Sequence, residues 1–375
     1  MINFDVNKFD TPYFLVDEGL LKRNLEILAG VKKDAGCKIL LAQKAFSMFV
    51  TYPLISQYLD GTCASGLHEA LLAHEHFKGE NHVFSPAYTE KDMPEILRVC
   101  DHLVFNSFTQ WQRFKGDVGG KSCGIRINPE FSTQDAGIYD PCAPNSRLGV
   151  TLASFRPDLL DGISGLHFHA LCQQGAEELA ATFAAAEERF GKFFHQMDWL
   201  NFGGGHHITK KGYNIPLLVD TIKRAKKKYN VEIYLEPGEA IALDAGFLIA
   251  EVVDIVENDG NIAILDASAA CHMPDVLEMP YRPHITGSGK AGEKAHTYRF
   301  GGPSCLAGDI IGEYSFDRPL KVGSRLVFTD MAIYSMVKTN TFNGIKLPGL
   351  AMRRLDGTME CIKTFGYQDF RSRLS

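Results

Sequence analysis

The stretch KILLAQKAF, residues 38–46, decides how this chain is read. Its apolar run has the length and composition of a buried strand. It then ends on Lys44, a residue that resists burial. A lysine there can simply close the strand and reach back to water. It can also be an amine at the mouth of a barrel, where a buried lysine is more readily neutral and nucleophilic. What the other apolar runs end on decides between the two.

After a first run at 37–43, runs of the same kind follow at 59–63, 82–84, 102–105, 123–127, 165–168, 199–202 and 231–235. Helical periods separate them. Residues 66–76 have Ser65 as a cap and an apolar face at Leu67, Leu71 and Leu72. Residues 176–195 repeat Leu179, Phe183, Ala186, Phe190 and Phe193. Residues 215–229 open with Pro216, whose missing N–H costs nothing in a first turn. The basic run KRAKKKY inside them reads as a solvated face. This alternation predicts an α/β fold, a (β/α)8 TIM-like barrel over 19–245. A doubly wound open sheet would want a glycine fingerprint after the first strand, and QKAFSM has none. Beyond residue 245 the periods shorten. IVENDGNIAIL turns at Asp259 and Gly260, LKVGSRLVF at Val322 to Ser324, and AMRRLDGTMECIKTF at Asp356 and Gly357. A second, β-rich domain is expected over 246–375. Residues 1–18 add a strand to it through TPYFLVD, ahead of a first helix over 18–29.

With 375 residues, 45% hydrophobic and 22% charged, the chain has room for a large barrel and a further domain. A net charge of −6 offers no basic field, so no nucleic-acid partner is expected. No apolar run spans a bilayer, and MINFDVNKFDTPYF lacks the apolar core of a signal peptide, so no membrane partner and a cytoplasmic location are expected. The nine cysteines are scattered without a CxxC pair, which argues against a disulfide framework or a zinc ribbon. Most read as small buried hydrophobes.

Chemistry in such a barrel collects at the C-terminal ends of its strands. Here those ends carry Lys44, then Thr62 to Ser65, Arg126, His169, the run Gly203, Gly204, Gly205 and His206, and finally Glu236 in EPGE. Each has a plain structural reading: a glycine run can be a tight turn, and a histidine a satisfied core residue. Together they suggest one site. Glycines free backbone N–H groups for an anion. A flat imidazole can stack on a flat ring. A carboxylate can hold a pyridine nitrogen protonated, and an amine can condense with an aldehyde. These four describe pyridoxal 5′-phosphate. A carboxylate beside the ring nitrogen favours the pyridinium, a full electron sink, and so decarboxylation over racemisation.

On these residues the chain resembles, over nearly its whole length, the fold-type III pyridoxal phosphate enzymes, the superfamily of alanine racemase and of ornithine and diaminopimelate decarboxylases. The resemblance implies that Lys44 carries the cofactor, His169 stacks on it, Gly203, Gly204 and Gly205 hold its phosphate, Glu236 meets its ring nitrogen, and Arg126 lies in the same site. GPSCLAGD resembles the GP-x-C-x-x-x-D motif, giving a catalytic Cys305 and Asp309. IYSMVKTNTFNG resembles the tyrosine segment that completes the phosphate site, giving Tyr334. It implies an obligate homodimer with shared active sites, Cys305 reaching into the neighbouring subunit's site. The chain departs from the ornithine and diaminopimelate pattern in three places. Leu306 replaces an acid, Glu239 replaces the arginine after EPG, and Cys172 and Gln173 stand where a small hydroxyl is usual.

DASAACHMPDVLEMPYRP, residues 266–283, resembles the corresponding stretch of carboxynorspermidine (carboxyspermidine) decarboxylases. That implies release of CO2 from carboxynorspermidine or carboxyspermidine in polyamine biosynthesis. A cationic tail wants acids, and Asp275, Glu278, Asp309 and Glu239 are available. A diaminopimelate or other basic amino-acid decarboxylase is the alternative. Its distal carboxylate would want a cation such as Arg282. Two other classes stand further off. A metal-dependent hydrolase could use His167 with His169, or His206 with His207. A non-catalytic decarboxylase-like binding protein would tend to lose Lys44 or Cys305, and both are kept.

Overall fold

Eight short runs of apolar residues close into a parallel barrel in the computed structural model, which describes residues 3–134 and 137–375. The chain first forms β1 (Tyr13–Asp17). The barrel strands are β2 (Lys38–Ala42), β3 (Gly61–Ala64), β4 (Glu80–Phe84), β5 (His102–Phe105), β6 (Ser122–Arg126), β7 (Gly165–His167), β8 (Trp199–Asn201) and β9 (Glu232–Leu235). Closure is complete because β2 pairs with both β3 and β9. All eight lie at the expected runs. The doubly wound alternative is excluded, since an open sheet leaves edge strands and this one has none.

The barrel's interior is filled rather than hollow. Leu40, Cys63, Val104, Trp199 and Tyr234 form one cluster inside it. The Trp199 indole needs space, and two glycines make it. A Cβ on Gly165 would lie 2.1 Å from the indole and one on Gly124 2.3 Å from it.

The described chain forms two compact units. One is Lys22–Ile241, which holds the barrel. The other combines residues up to Leu21 with Ala242–Ser375. Of the N-terminal segment expected in the second unit, Met1 and Ile2 lie outside the described residues.

The second unit is built on β10 (Gly246–Glu257), whose twelve residues serve several partners. Its first half pairs with β1 and with β14 (Arg325–Thr329). A register shift between Val252 and Asp254 then turns its second half onto β11 (Asn261–Leu265). Such a bulge re-aims a strand without ending it. Beyond β11 lie β12 (His296–Gly301) and β13 (Ile310–Phe316). On the other side, β1 pairs in parallel with β15 (Gly349–Arg353), which turns back as β16 (Met359–Lys363).

Local details differ from the sequence reading in three places. The first helix runs from Glu18 through Gly30 to Ala35, because Val31 and Ala35 continue the buried stripe of Leu21, Leu25 and Leu28. The helix Leu67–His76 buries Ala70 and Ala73, while Leu71 and Leu72 are only half-buried. Its N-cap is Gly66, and Ser65 does not cap it; the Ser65 N–H instead donates to Glu69 Oε2 at 2.6 Å. Among the cysteines, Cys37, Cys63, Cys100, Cys123 and Cys271 are buried as expected, whereas Cys305 and Cys361 are exposed. Among the described residues, no helix is long and apolar enough to cross a membrane.

Gly165→Ala is expected to destabilise the protein by about 1–3 kcal/mol, as an overpacked core does. Urea unfolding of Gly165→Ala alone and with Trp199→Phe tests this: the smaller ring should recover part of the loss, and an unchanged midpoint in the single variant would contradict it.

Candidate active site

Neighbouring parallel strands set Arg126, His167, Asn201 and Tyr234 on one rung of the barrel. Glu236 follows Tyr234 by two residues, just past the end of β9. Its carboxylate is 9% exposed. Asn201 Nδ2 donates to Oε1 at 2.7 Å, and His167 Nε2 faces Oε2 at 3.3 Å. Burial alone would push the acid up. The attraction of His167 and its hydrogen bond, the Asn201 amide and nearby His169 outweigh that and hold the carboxyl well below the usual range. Burial keeps the His167 ring neutral, so it acts as a donor rather than as a full counter-charge.

His169 is held by the glycine turn. The Gly204 N–H donates to its Nδ1 at 3.1 Å. Desolvation first, then Lys44 and Arg126, keep this ring neutral. With Nδ1 accepting, the ring proton sits on Nε2, which lies 3.3 Å from Lys44 Nζ. Arg126 Nη2 donates to the His169 carbonyl at 2.9 Å, and the guanidinium lies 4.6 Å from the centre of the Phe84 ring. Burial lowers Arg126 to about 10, so it stays cationic at neutral pH.

Lys44 corrects one expectation. It is exposed, not buried, with its amine open to an incoming aldehyde. The glycine run corrects another. Two of its three N–H groups are already used, Gly203 by Asn201 Oδ1 at 2.8 Å and Gly204 by His169. Among the described residues the Gly205 N–H takes no protein acceptor, and it is the one left for an anion. No side chain could replace these glycines, since a Cβ on Gly204 would lie 2.0 Å from the Glu236 carbonyl oxygen and one on Gly205 1.8 Å from that of Leu171.

Glu239 is only 11% exposed in its side chain and is paired with His207, while Gln173 Nε2 donates to its Oε1 at 3.2 Å. His206 Nδ1 meets the Tyr213 hydroxyl at 2.6 Å. The four histidines of the metal reading therefore face four different partners: Glu236, Lys44, Tyr213 and Glu239. Among the described residues, the group that could converge on an ion is Glu80, His82 and His102. Glu80 and His102 open β4 and β5, at the opposite end of the barrel, and Lys38 already supplies the cation for Glu80.

The second unit carries the remaining candidates. Cys305 is exposed, and its N–H donates to Asn343 Oδ1 at 2.8 Å. Asp309 is 2% exposed, with four donors on its carboxylate. Asp275 and Glu278, in the helix Asp275–Glu278, both pair with Lys338. Arg282 lies 4.4 Å from the centre of the Tyr314 ring. Tyr334 is half-buried and left-handed, with φ at 54°, a costly conformation for a non-glycine residue.

Asn201 and Lys338 escaped the sequence reading, and His167 appeared there only as a metal ligand. Asn201 could have been found as the polar residue inside the apolar run 199–202. Lys338 had no such signal, because its partners lie about 60 residues earlier in the chain.

The donor set suits pyridoxal phosphate: an ionised carboxylate inside the barrel mouth, a fixed flat imidazole, a reachable amine and an amide for an anion. Comparison with known proteins agrees. The family model of the pyridoxal-dependent decarboxylase, C-terminal sheet domain, matches residues 58–332. The carboxynorspermidine/carboxyspermidine decarboxylase of Campylobacter jejuni is 42% identical, covering 98% of this chain and 99% of its own. The carboxyaminopropylagmatine decarboxylase of Synechocystis is 41% identical, covering 98% of this chain and 96% of its own. The crystal structure of carboxynorspermidine decarboxylase complexed with norspermidine from Campylobacter jejuni superposes with a TM-score of 0.91 at 41% identity, covering 97% of this chain and 100% of that one.

Asn201→Ala is expected to remove about 1–3 kcal/mol of stability at neutral pH by leaving Glu236 short of a donor. The folded value of Glu236 lies below its unfolded value of 4.5, so its charge stabilises the fold above that pH, and the benefit is lost as pH falls through the depressed value. Urea unfolding across pH should show the gap between wild type and variant narrowing below 4.5. A gap that stays constant would contradict the pairing.

Proposed function

Because the chain belongs to the pyridoxal-dependent decarboxylases, we propose that it releases CO2 from carboxynorspermidine or carboxyspermidine to give norspermidine or spermidine. Pyridoxal 5′-phosphate, when bound, supplies an electron sink for the carbanion left as CO2 departs. The observation that carries the reaction type is Glu236. An acid that stays ionised in the barrel mouth can keep a ring nitrogen protonated, which a neutral group could not do.

The other residues take supporting roles in this reading. Lys44 offers the amine for the cofactor's aldehyde. His169 presents its ring face, with its orientation fixed by Gly204 and its backbone by Arg126. The Gly203–Gly205 turn, through the Gly205 amide, and Tyr334 hold phosphate oxygens. Cys305 supplies the proton and helps position the substrate. Its exposed loop, flanked by exposed Leu306 and Phe342, suits a surface completed by a second copy of the chain, and we read the enzyme as a cytoplasmic homodimer with shared sites.

The tail of the substrate is cationic. Asp275 and Glu278 are the acids best placed to take it, because Lys338 already shows that the pair accepts an ammonium, and a substrate amine would exchange with it. Glu239 is engaged by His207, and Arg282 by Tyr314. A second reading is favoured by the Synechocystis relative, whose substrate name indicates a guanidinium-ended tail. A planar guanidinium prefers two carboxylates or one bidentate partner, which the same acid pair could offer.

CO2 release by the cofactor-loaded protein separates these readings. Carboxynorspermidine, carboxyspermidine, carboxyaminopropylagmatine and meso-diaminopimelate are assayed side by side. Preference for either of the first two supports the proposal. Preference for the third moves the substrate to the guanidinium class, and preference for the fourth overturns the polyamine assignment. Cys305→Ala should retain the bound chromophore and lose most of the turnover; full turnover would remove Cys305 from the chemistry.

A further inference from the structure

Asp309 stands apart among the acids of the second unit. It is buried, yet it takes its donors from two separate segments. Oδ2 accepts from Ser268 Oγ at 2.8 Å, Ser304 Oγ at 2.6 Å and the Ser304 N–H at 3.3 Å. Oδ1 accepts from the Ala270 N–H at 3.1 Å. Oδ2 is saturated by its three donors, and the residue is only 2% exposed, which closes the carboxylate to a substrate amine. The loop it closes is drawn tight around it: its own carbonyl accepts from the Gly302 N–H at 2.9 Å, and a Cβ on Gly302 would lie 2.3 Å from Oδ2.

The residue between these contacts is Cys305. On one side, Ser304 is tied to Asp309. On the other, the Cys305 N–H is tied to Asn343, which adopts the left-handed conformation at φ 57° that asparagine tolerates. Both ties lead to the same short helix, Ala269–His272. Asp309 reaches it through Ser268 and Ala270. The loop carrying Asn343 reaches it through Asn340, whose N–H donates to the Cys271 carbonyl at 3.0 Å and whose Nδ2 donates to that of Ala270 at 2.8 Å. His272 adds a third link, with Nδ1 accepting from the Ser268 N–H at 3.1 Å and Nε2 facing the Lys346 carbonyl at 3.1 Å.

We infer that Asp309 is a positioning residue for Cys305, clamping its loop to the helix Ala269–His272, and that it does not contact the substrate. This rests on the reading of Cys305 as a residue of the reaction. It also gives the DASAACH run a physical meaning: Ser268 and His272 build the platform from which two loops hold the thiol.

Asp309→Asn tests the clamp. An amide presents one acceptor and one donor, so at least one of the four contacts is lost whichever way it turns. In the cofactor-loaded enzyme, kcat is expected to fall about tenfold. In a Cys305→Ala background the same substitution should cost nothing further, because a residue acting only through the thiol has nothing left to act on. A further loss of kcat or a rise in KM in that background would mean that Asp309 acts on the substrate and would overturn the inference. A second readout uses iodoacetamide on the unloaded protein, with exposed Cys361 as internal reference. Alkylation of Cys305 relative to Cys361 should rise about threefold in Asp309→Asn, and also in the milder Ser304→Ala should the first variant fold poorly. An unchanged ratio would overturn the clamp. Unchanged turnover in Cys305→Ala alone would instead overturn the role of the cysteine, an outcome the alkylation ratio does not share.

Discussion

A buried carboxylate must be held by donors or give up its charge. Glu236 keeps its charge because the barrel brings Asn201 and His167 to it from two neighbouring strands. The rest of the site is arranged around that pair. The strand that ends in Asn201 continues into the Gly203–Gly205 turn, whose first N–H returns to Asn201 and whose second fixes His169. His169 lies two residues beyond His167, just past the end of β7, and it faces Lys44. A change at Asn201 therefore touches the acid, the turn and the ring together.

Much of this could be read along the chain. The eight barrel strands announced themselves because parallel strands buried on both faces are short continuous apolar runs. Lys44, Arg126, His169 and Glu236 stood out because polar residues at the ends of such runs are unusual. Burial could not be read in the same way. Lys44 lies two residues past the end of a buried strand and is exposed, while Gln43 beside it is still fully buried. The glycine turn looked like a set of free donors, but its first two N–H groups serve its own neighbours. Partnerships across long stretches of sequence were hidden altogether. Lys338 with Asp275 and Glu278, and Asp309 with Ser268, join residues whose proximity only the folded sheet creates.

The second unit shows why a sequence signature need not mark a binding surface. The stretch 266–283 resembles that of polyamine-forming decarboxylases, yet its first half is occupied in holding loops. Asp266 accepts from the Glu251 N–H at 2.8 Å, Ser268 bonds to Asp309, and His272 reaches Lys346. Its second half holds the acid pair that Lys338 neutralises.

The central claim is that the barrel mouth holds pyridoxal phosphate through Lys44. Borohydride reduction of the cofactor-loaded protein, followed by peptide mass spectrometry, tests it most directly. The account predicts that the peptide containing Lys44 carries the mass of the reduced cofactor and that other lysines remain unmodified. An adduct on a different lysine, in a protein that still releases CO2, would contradict it.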